Sequence, residues 1–471
     1  MANPVLAIVL AAGKGTRMQS DLPKVLHPIA GVPMILHVLR AIGKTDAKRT
    51  VAVVGHGHDQ VEVELKSSKG VQCVLQEPQQ GTGHAVLSAE PALADYDGDV
   101  LVVSGDVPLV RGQTLQALVR THRQANASCT LLSMQVEEPD GYGRVVRGSE
   151  GNVRKIVEDA HASQEEKDIT EVNAGVYCFR KSDLFDALRK VVPNAVNGEY
   201  YITDAIGILI AAPGKEVRVV RGPLEELHGV NDLSDLADTE VEMQRRVVAA
   251  LVRRGVRIPS PLHCYIESGV EVGAGTVIHP FTVIRRGVRV GRSCEVGPFA
   301  HLRAGTLLDD GAQVGNFVEA KEARIGAGTK AKHLTYLGDV AIGAGANIGA
   351  GTVVANYDGQ RKYRTEIADG AFIGSGTILV APVKVGRNAR TGAGAVVTRG
   401  HDVPDGQTVV GVPARPVASR PPSEPSRDGA GAPRTPRNGK SVFLIKEAKG
   451  AKEAEAGVES APAPDAPPAM G

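Results

Sequence analysis

The sequence predicts an α/β wound sheet of Rossmann-like alternation, then a left-handed parallel β-helix of hexapeptide repeats, then a disordered C-terminal tail. Three observations predict this order. Residues 4–10 (PVLAIVL), 51–55, 71–76 and 100–106 are short aliphatic runs, with helical patterns between them at 58–67, 82–94 and 112–125. That alternation is the pattern of a wound sheet. Ile266, Val272, Ile278, Ile284, Val290, Val296, Leu302, Leu308 and Val314 then stand six apart without a miss, often followed at once by Gly. A helix of 3.6 residues per turn does not hold that period, and a plain strand alternates at two, so a six-residue repeat reads as stacked β-helix coils. From about Ala418 the chain is rich in Pro, Ala and charge with almost no core residues, the composition of disorder.

Taken in order, the first strand ends in AAGKGTRM (Ala11–Met18). Gly13 and Gly15 can turn backbone N–H groups toward a phosphate, with Lys14 and Arg17 adding charge; a tight turn with incidental cations is the alternative. The spacing fits neither G-x-x-x-x-G-K-[ST] nor G-x-G-x-x-G. Pro23 and Pro28 forbid helix around Lys24, and a helix follows over 33–42. In wound sheets ligands bind beyond the carboxyl ends of the strands, where Arg17, Gln76 with Gly81-Thr82, and Asp106 fall. Asp106, in GDVPL, is either a metal-binding carboxylate or a turn residue. The strand patterns at 128–180 read as an insertion over one side of the cleft, contributing Gly141, Glu158 and Asn173. Helices are expected at 182–191 and within 198–212, a strand follows, and Asp232 or Ser234 caps a long connecting helix. The expected domains are 1–232, a linker helix 233–257, a β-helix 258–417 and the tail 418–471, with Val442–Ile445 an apolar island inside it. The repeat slips after Val314, and thirteen residues separate Val354 from Ile367; loops leaving a solenoid are common binding elements.

Composition narrows the partners. The 471 residues carry a formal net charge of +1, which gives no global field toward nucleic acid or a membrane. Five dispersed Cys without a C-x-x-C pair fit a reducing cytoplasm and argue against a disulfide framework or structural zinc. No secretion signal or apolar span is legible, so the expectation is a cytoplasmic protein.

The strings LAAGKGTRM, LPKVLH, QQGTGHA, GDVPL, GYGR, VNAG, GEYYITD and GVN, in that order, resemble sugar-nucleotide pyrophosphorylases. With VGNFVEAK, KAKHLTYLGD, NIGAG and ANYDG in the repeats, the chain from about Val5 to Val397 resembles the bacterial bifunctional N-acetylglucosamine-1-phosphate uridyltransferase and glucosamine-1-phosphate acetyltransferase family. The resemblance implies two reactions. In one, N-acetylglucosamine 1-phosphate attacks the α-phosphorus of UTP. Leu10, Ala11, Ala12, Gly13, Lys14, Arg17 and Lys24 would hold the triphosphate, with Arg17 and Lys24 catalytic, and Asp106 and Asn231 would hold Mg²⁺. Gln76, Gly81 and Thr82 would read uracil, and Gly141, Glu158, Asn173 and Thr203 would line the sugar side. Ser104 stands where the family often has Tyr. In the other reaction the amine of glucosamine 1-phosphate attacks acetyl-CoA, with His333 as proton acceptor. Arg303, Lys321, Tyr336, Asn347 and Lys362 would bind sugar and phosphate. Asn356 and Tyr357, on the inserted loop as a lid or wall over His333, would meet acetyl-CoA with Ser375 and Ala393. The family's Arg near Gly411 is absent, leaving Arg399 or Arg415. A homotrimer with the acetyl site between neighbouring solenoids is also implied. Two rival readings are a single-function nucleotidyltransferase with a regulatory β-helix and a non-enzymatic scaffold. The first has no use for His333 with Asn356, and the second none for Arg17, Lys24 and Asp106.

Overall fold

The computed structural model describes residues 5–149 and 151–417; the expected disordered tail 418–471, with Val442–Ile445, lies outside the described residues. The amino-terminal strands and helices are β1 (Leu6–Ala11), α1 (Met34–Ile42), β2 (Arg49–Val54), α2 (His58–Leu65), β3 (Val71–Leu75), α3 (Gly81–Ser88), β4 (Asp99–Ser104) and α4 (Gly112–Gln124). They continue with β5 (Cys129–Gln135), β6 (Arg144–Arg147), β7 (Val153–Val157), β8 (Glu171–Arg180), α5 (Lys181–Leu188), α6 (Ile202–Ala211), β9 (Val217–Arg221) and α7 (Leu233–Arg253). The sheet runs β9-β5-β8-β4-β1-β2-β3. It is parallel from β4 through β3, with β8 antiparallel to both β4 and β5. Val5, Ala7, Ile8 and Val9 are wholly buried because helices cover both faces.

Two expectations need correction. Residues 128–180 are not an insertion: β5 and β8 lie inside the main sheet, and only the β6–β7 hairpin leaves it. The physical reason is burial on both faces of CTLLSM and VYCF. Between Pro23 and Pro28 the chain does form one 3-10 turn, Lys24–Leu26, which Pro23 precedes as its cap.

The second half is a stack of two-residue strands whose partners lie 18 residues on, as Glu271 opposite Arg289 and Glu295 opposite Gln313. All nine period-six aliphatics are buried inside it, each contributing roughly 1.5–3 kcal/mol. The slip after Val314 now has a cause. Gln313 lies opposite Lys330, a coil of 17 residues, and the small inward residues Ala320 and Ala331 break the aliphatic pattern. Here two long strands, β10 (Gln313–Ile325) and β11 (Lys330–Ile342), wrap the corners without interruption. Further on, Ile342 lies opposite Ile367, and the extra residues form the loop around 356–363.

The connecting helix α7 is stitched to both halves. Asp232 caps it through the Ser234 and Asp235 amides at 2.8 and 3.1 Å. Glu240 accepts from the Ala30 amide at 2.8 Å, Gln244 accepts from the Ile266 amide at 3.0 Å, and the Ser268 amide donates to Ala30 at 2.8 Å. No helix among the described residues is long and apolar enough to cross a membrane.

Coil stacking predicts opposite outcomes for two glycines. A Cβ on Gly315 would stand 2.0 Å from the Lys332 carbonyl oxygen, whereas Gly207, within α6, has nothing within 4 Å. Gly315→Ala is expected to destabilise by about 2 kcal/mol and Gly207→Ala to stabilise by about 1 kcal/mol, both read from denaturant midpoints.

Candidate functional sites

The first site is a cleft of about 230 Å³ at the carboxyl ends of β1 and β4, lined among others by Leu10, Thr82, Ser104, Asp106, Gly141, Glu158, Asn173, Thr203 and Asn231. Lys24 stands at one side of it. Its ammonium donates to Asp106 Oδ2 at 2.7 Å and to Asn231 Oδ1 at 3.3 Å, and Arg17 reaches the same Asn231 oxygen at 3.3 Å. Gly15 makes this possible: it adopts φ 60°, and a Cβ there would stand 2.6 Å from Lys24 Cβ. Around Gly13 the space is open, as a loop that receives phosphate oxygens requires. Lys14 is exposed, and Ala11 and Ala12 are buried at the strand end.

Gln76 is buried, with its amide donating to the Gly81 carbonyl at 3.0 Å and meeting His84 Nδ1 at 3.1 Å. The Thr82 hydroxyl accepts the Ile202 amide at 3.1 Å, which ties the α3 start to α6. On the far wall the Thr203 hydroxyl donates to Glu158 at 2.7 Å, and burial raises the Glu158 carboxyl above its ordinary value. Asn173 donates to the Tyr177 hydroxyl at 2.6 Å. Both Gly141 and Gly143 line the cleft, and the Gly143 carbonyl accepts the Asn173 backbone amide at 2.7 Å. Sequence reasoning missed Gly143, His84, Tyr142 and Tyr177; Gly143 and Tyr142 lay within the GYGR string.

Oxygen donors suit a hard cation here. Asp106 and Asn231 converge on one ammonium, so a single small cation can meet both oxygens, and one carboxylate with one amide leaves positions for phosphate and water, as Mg²⁺ requires.

The second site lies along the β-helix. His333, exposed on β11, places Nδ1 2.8 Å from Asn316 Oδ1 on the coil below. An amide oxygen only accepts, so Nδ1 carries the proton and Nε2 is left as the basic nitrogen. A small cleft of about 180 Å³ beside them is lined by Glu295, Gly297, Pro298, Gln313, Val314, Gly315 and Lys332. The same corner continues through Ala350, Ser375 and Ala393, whose coils join by Gly376 N to Ala350 O (2.7 Å) and Gly394 N to Ser375 O (2.8 Å). Asn347, opposite Lys330, lies on the side leading to this corner. Asn316 was missed, although the register of VGNFVEAK beneath KAKHLTYLGD would find it.

The next corner gathers cations. Lys321 lies opposite Gly338, and Arg303 sits one coil below, paired with Glu319 at 2.7 Å. Lys362 comes within hydrogen-bonding range of Lys321, and Lys362 with Arg303 lowers the Lys321 pKa. Lys321 thus stands beside two further cations, an arrangement whose charge suits an anion. The Tyr336 hydroxyl and Asn356 amide close over Gly338, and Asn356 donates to Asp339.

The inserted loop belongs to this second corner. Tyr357 bridges Lys362, Asp358 caps the Gln360 and Arg361 amides, and Arg399 reaches Asp358 at 3.3 Å while lying over the Tyr363 ring. Within one chain it therefore is not a lid on His333, and no loop residue lines the His333 cleft. Five residues at about 3.3 Å each separate His333 from Gly338, so the two corners stand on the order of 15 Å apart. Arg399 is committed to the loop, whereas Arg415, opposite Val410, contacts only the Ala414 carbonyl among the described residues. A further groove, about 870 Å³ along 324–327, 341–344 and 364–369, holds none of the predicted residues.

Comparisons with known proteins match both halves. The MobA-like NTP transferase domain family matches residues 7–225, and the bacterial transferase hexapeptide family (six repeats) matches 364–399. The Bifunctional protein GlmU of Geobacillus thermodenitrificans is 42% identical, over 86% of this chain and 95% of its own length. That of Lactococcus lactis is 43% identical over 86% and 95%, and that of Pelotomaculum thermopropionicum 44% over 80% and 90%. Likeness at this identity covers 80–86% of this chain and 90–95% of those relatives, and the chain belongs to the bifunctional GlmU family.

Proposed function

We propose that this chain makes UDP-N-acetylglucosamine at two separate sites: acetyl transfer from acetyl-CoA to glucosamine 1-phosphate, then uridylyl transfer from UTP with release of pyrophosphate. The observation that carries the reading is the coexistence, in one chain, of Lys24–Asp106–Asn231 at the sheet and His333–Asn316 with the Arg303–Lys321–Lys362 cluster on the solenoid. The expected domains, a uridylyltransferase over 1–232, a linker helix over 233–257 and an acetyltransferase over 258–417, are part of this proposal.

Uridylyl transfer demands neutralised charge and aligned oxygens more than covalent help. Gly13 and its neighbours receive the triphosphate, and Arg17 and Lys24 balance the charge that grows on it. Gln76, Gly81 and Thr82 meet the uracil edge; Glu158, Asn173 and Thr203 face the sugar. Asp106 and Asn231 hold Mg²⁺, which supplies Lewis-acid charge neutralisation when bound. Lys24 then exchanges its carboxylate contact for a phosphate oxygen.

Acetyl transfer needs a free amine. His333 takes the ammonium proton at Nε2, while Asn316 keeps the ring in the required tautomer. Lys321, Lys362 and Arg303 bind the phosphate; Tyr336 and Asn347 border the sugar. Ser375 and Ala393 continue the His333 corner toward acetyl-CoA, and Arg415 supplies the cation for its phosphates. The amine and phosphate of one glucosamine 1-phosphate cannot span two corners on the order of 15 Å apart. A second copy therefore brings its cationic corner, with Asn356 and Tyr357, to His333. That assembly is a homotrimer of neighbouring solenoids, working in the cytoplasm, where the five separate free cysteines are at ease.

His333→Ala is expected to lower CoA release at least a thousandfold and leave UTP-dependent pyrophosphate release intact, with Asp106→Ala doing the reverse; loss of both activities in either folded variant contradicts two independent sites. Asn316→Ala is expected to lower acetyl-transfer kcat about tenfold with little change in KM, because the tautomer and not the binding is lost. Uridylyl transfer by the same variant should stay at the wild-type rate, which separates a lost tautomer from a lost fold.

A further inference from the structure

We propose that Asp235, His228 and Tyr142 form a positioning relay that couples the sugar side of the nucleotide cleft to Asn231 on its opposite wall. The proposal rests on the uridylyl-transfer reading above and assigns residues that this reading does not use. Asp235 lies in the first turn of α7, but Asp232 performs the capping, so its carboxylate is free for other work. Asp235 Oδ2 accepts the Asn231 backbone amide at 2.7 Å, and Oδ1 stands 3.1 Å from His228 Nε2. A carboxylate only accepts, so Nε2 carries the imidazole proton and Nδ1 is the acceptor. The Tyr142 hydroxyl meets that Nδ1 at 3.2 Å.

Tyr142 sits between Gly141 and Gly143, and all three line the cleft. Gly143 in turn holds the Asn173 amide. One hydrogen-bonded chain therefore runs from Asn231, through Asp235, His228 and Tyr142, to the segment facing the sugar. Burial, with Asp235 and Asp106 nearby, pushes the Tyr142 phenol up to about 12, so it remains a donor across the working range. None of the three touches the reacting atoms as placed in the uridylyl reading; their effect is to fix where segment 141–143 stands when Asn231 is engaged.

Steady-state uridylyl kinetics on the full chain test this. Tyr142→Phe and His228→Ala should each raise KM for N-acetylglucosamine 1-phosphate about five- to tenfold, with kcat changed less than about threefold. The double variant should be no worse than either single one, since both break the same chain. His228→Gln is the discriminating variant: its amide can donate to Asp235 and accept from Tyr142, and it should return KM to within about twofold of wild type. Acetyl transfer by every variant reports that the chain is folded. Additive losses in the double variant, an unchanged KM in both single variants, or failure of His228→Gln to rescue overturns the relay. A wild-type chain without uridylyl transfer instead overturns the functional reading on which it rests.

Discussion

The hydrogen-bonded register between successive coils decides where every side chain of the second site can stand. In the regular coils a residue lies over one 18 positions earlier, as Gln313 over Glu295. The next coil is one residue shorter, and that single deletion sets His333 over Asn316. At the regular spacing Leu334 would occupy that position, and the imidazole would lose the partner that fixes its tautomer. The same shortened coil places Gly338 over Lys321, and the missing side chain there lets the Tyr336 hydroxyl and the Asn356 amide close in. The irregularity is thus the feature that builds the site, and the buried aliphatic stack on either side holds it rigid.

The amino-terminal site answers a similar demand, the charge of a phosphate, by a different route. Lys24, Asp106 and Asn231 are far apart in sequence and meet because β1 and β4 are adjacent parallel strands and the α7 entry returns to their ends. Both sites keep cations close to one another or to a replaceable carboxylate. In the first, Lys24 is paired with Asp106; in the second, Lys321 and Lys362 stand side by side and repel each other. Lys362 and Arg303 hold the Lys321 pKa below its ordinary value.

Much of this was legible in the sequence, for reasons that separate into kinds. The six-residue period reports inward side chains directly, so the solenoid could be read from Ile266 onward. The parallel core of the sheet was legible because its strands are short apolar runs ending in polar groups. The placement of β5 and β8 was not, since an antiparallel strand spliced into a parallel sheet leaves no local mark beyond its two-sided burial. GYGR pointed to the segment lining the cleft, but the Gly143–Asn173 backbone contact within it is tertiary and left no mark in the string. His333 stood out by its string, whereas its contact with Asn316 follows from the coil length. The loop at 356–363 was recognised as an insertion, but its corner is a matter of register, which composition does not carry.

The central claim for the solenoid is that one chain supplies the base and a neighbour supplies the phosphate cluster. Co-expression of His333→Ala chains with Lys321→Ala/Lys362→Ala chains, each inactive in acetyl transfer by itself, tests it most directly. Random assembly of the two should restore about a quarter of the wild-type acetyl-transfer rate, because that fraction of interfaces pairs an intact His333 with an intact cationic corner. Mixed assemblies with no acetyl transfer above that of the separate variants would contradict a site shared between chains.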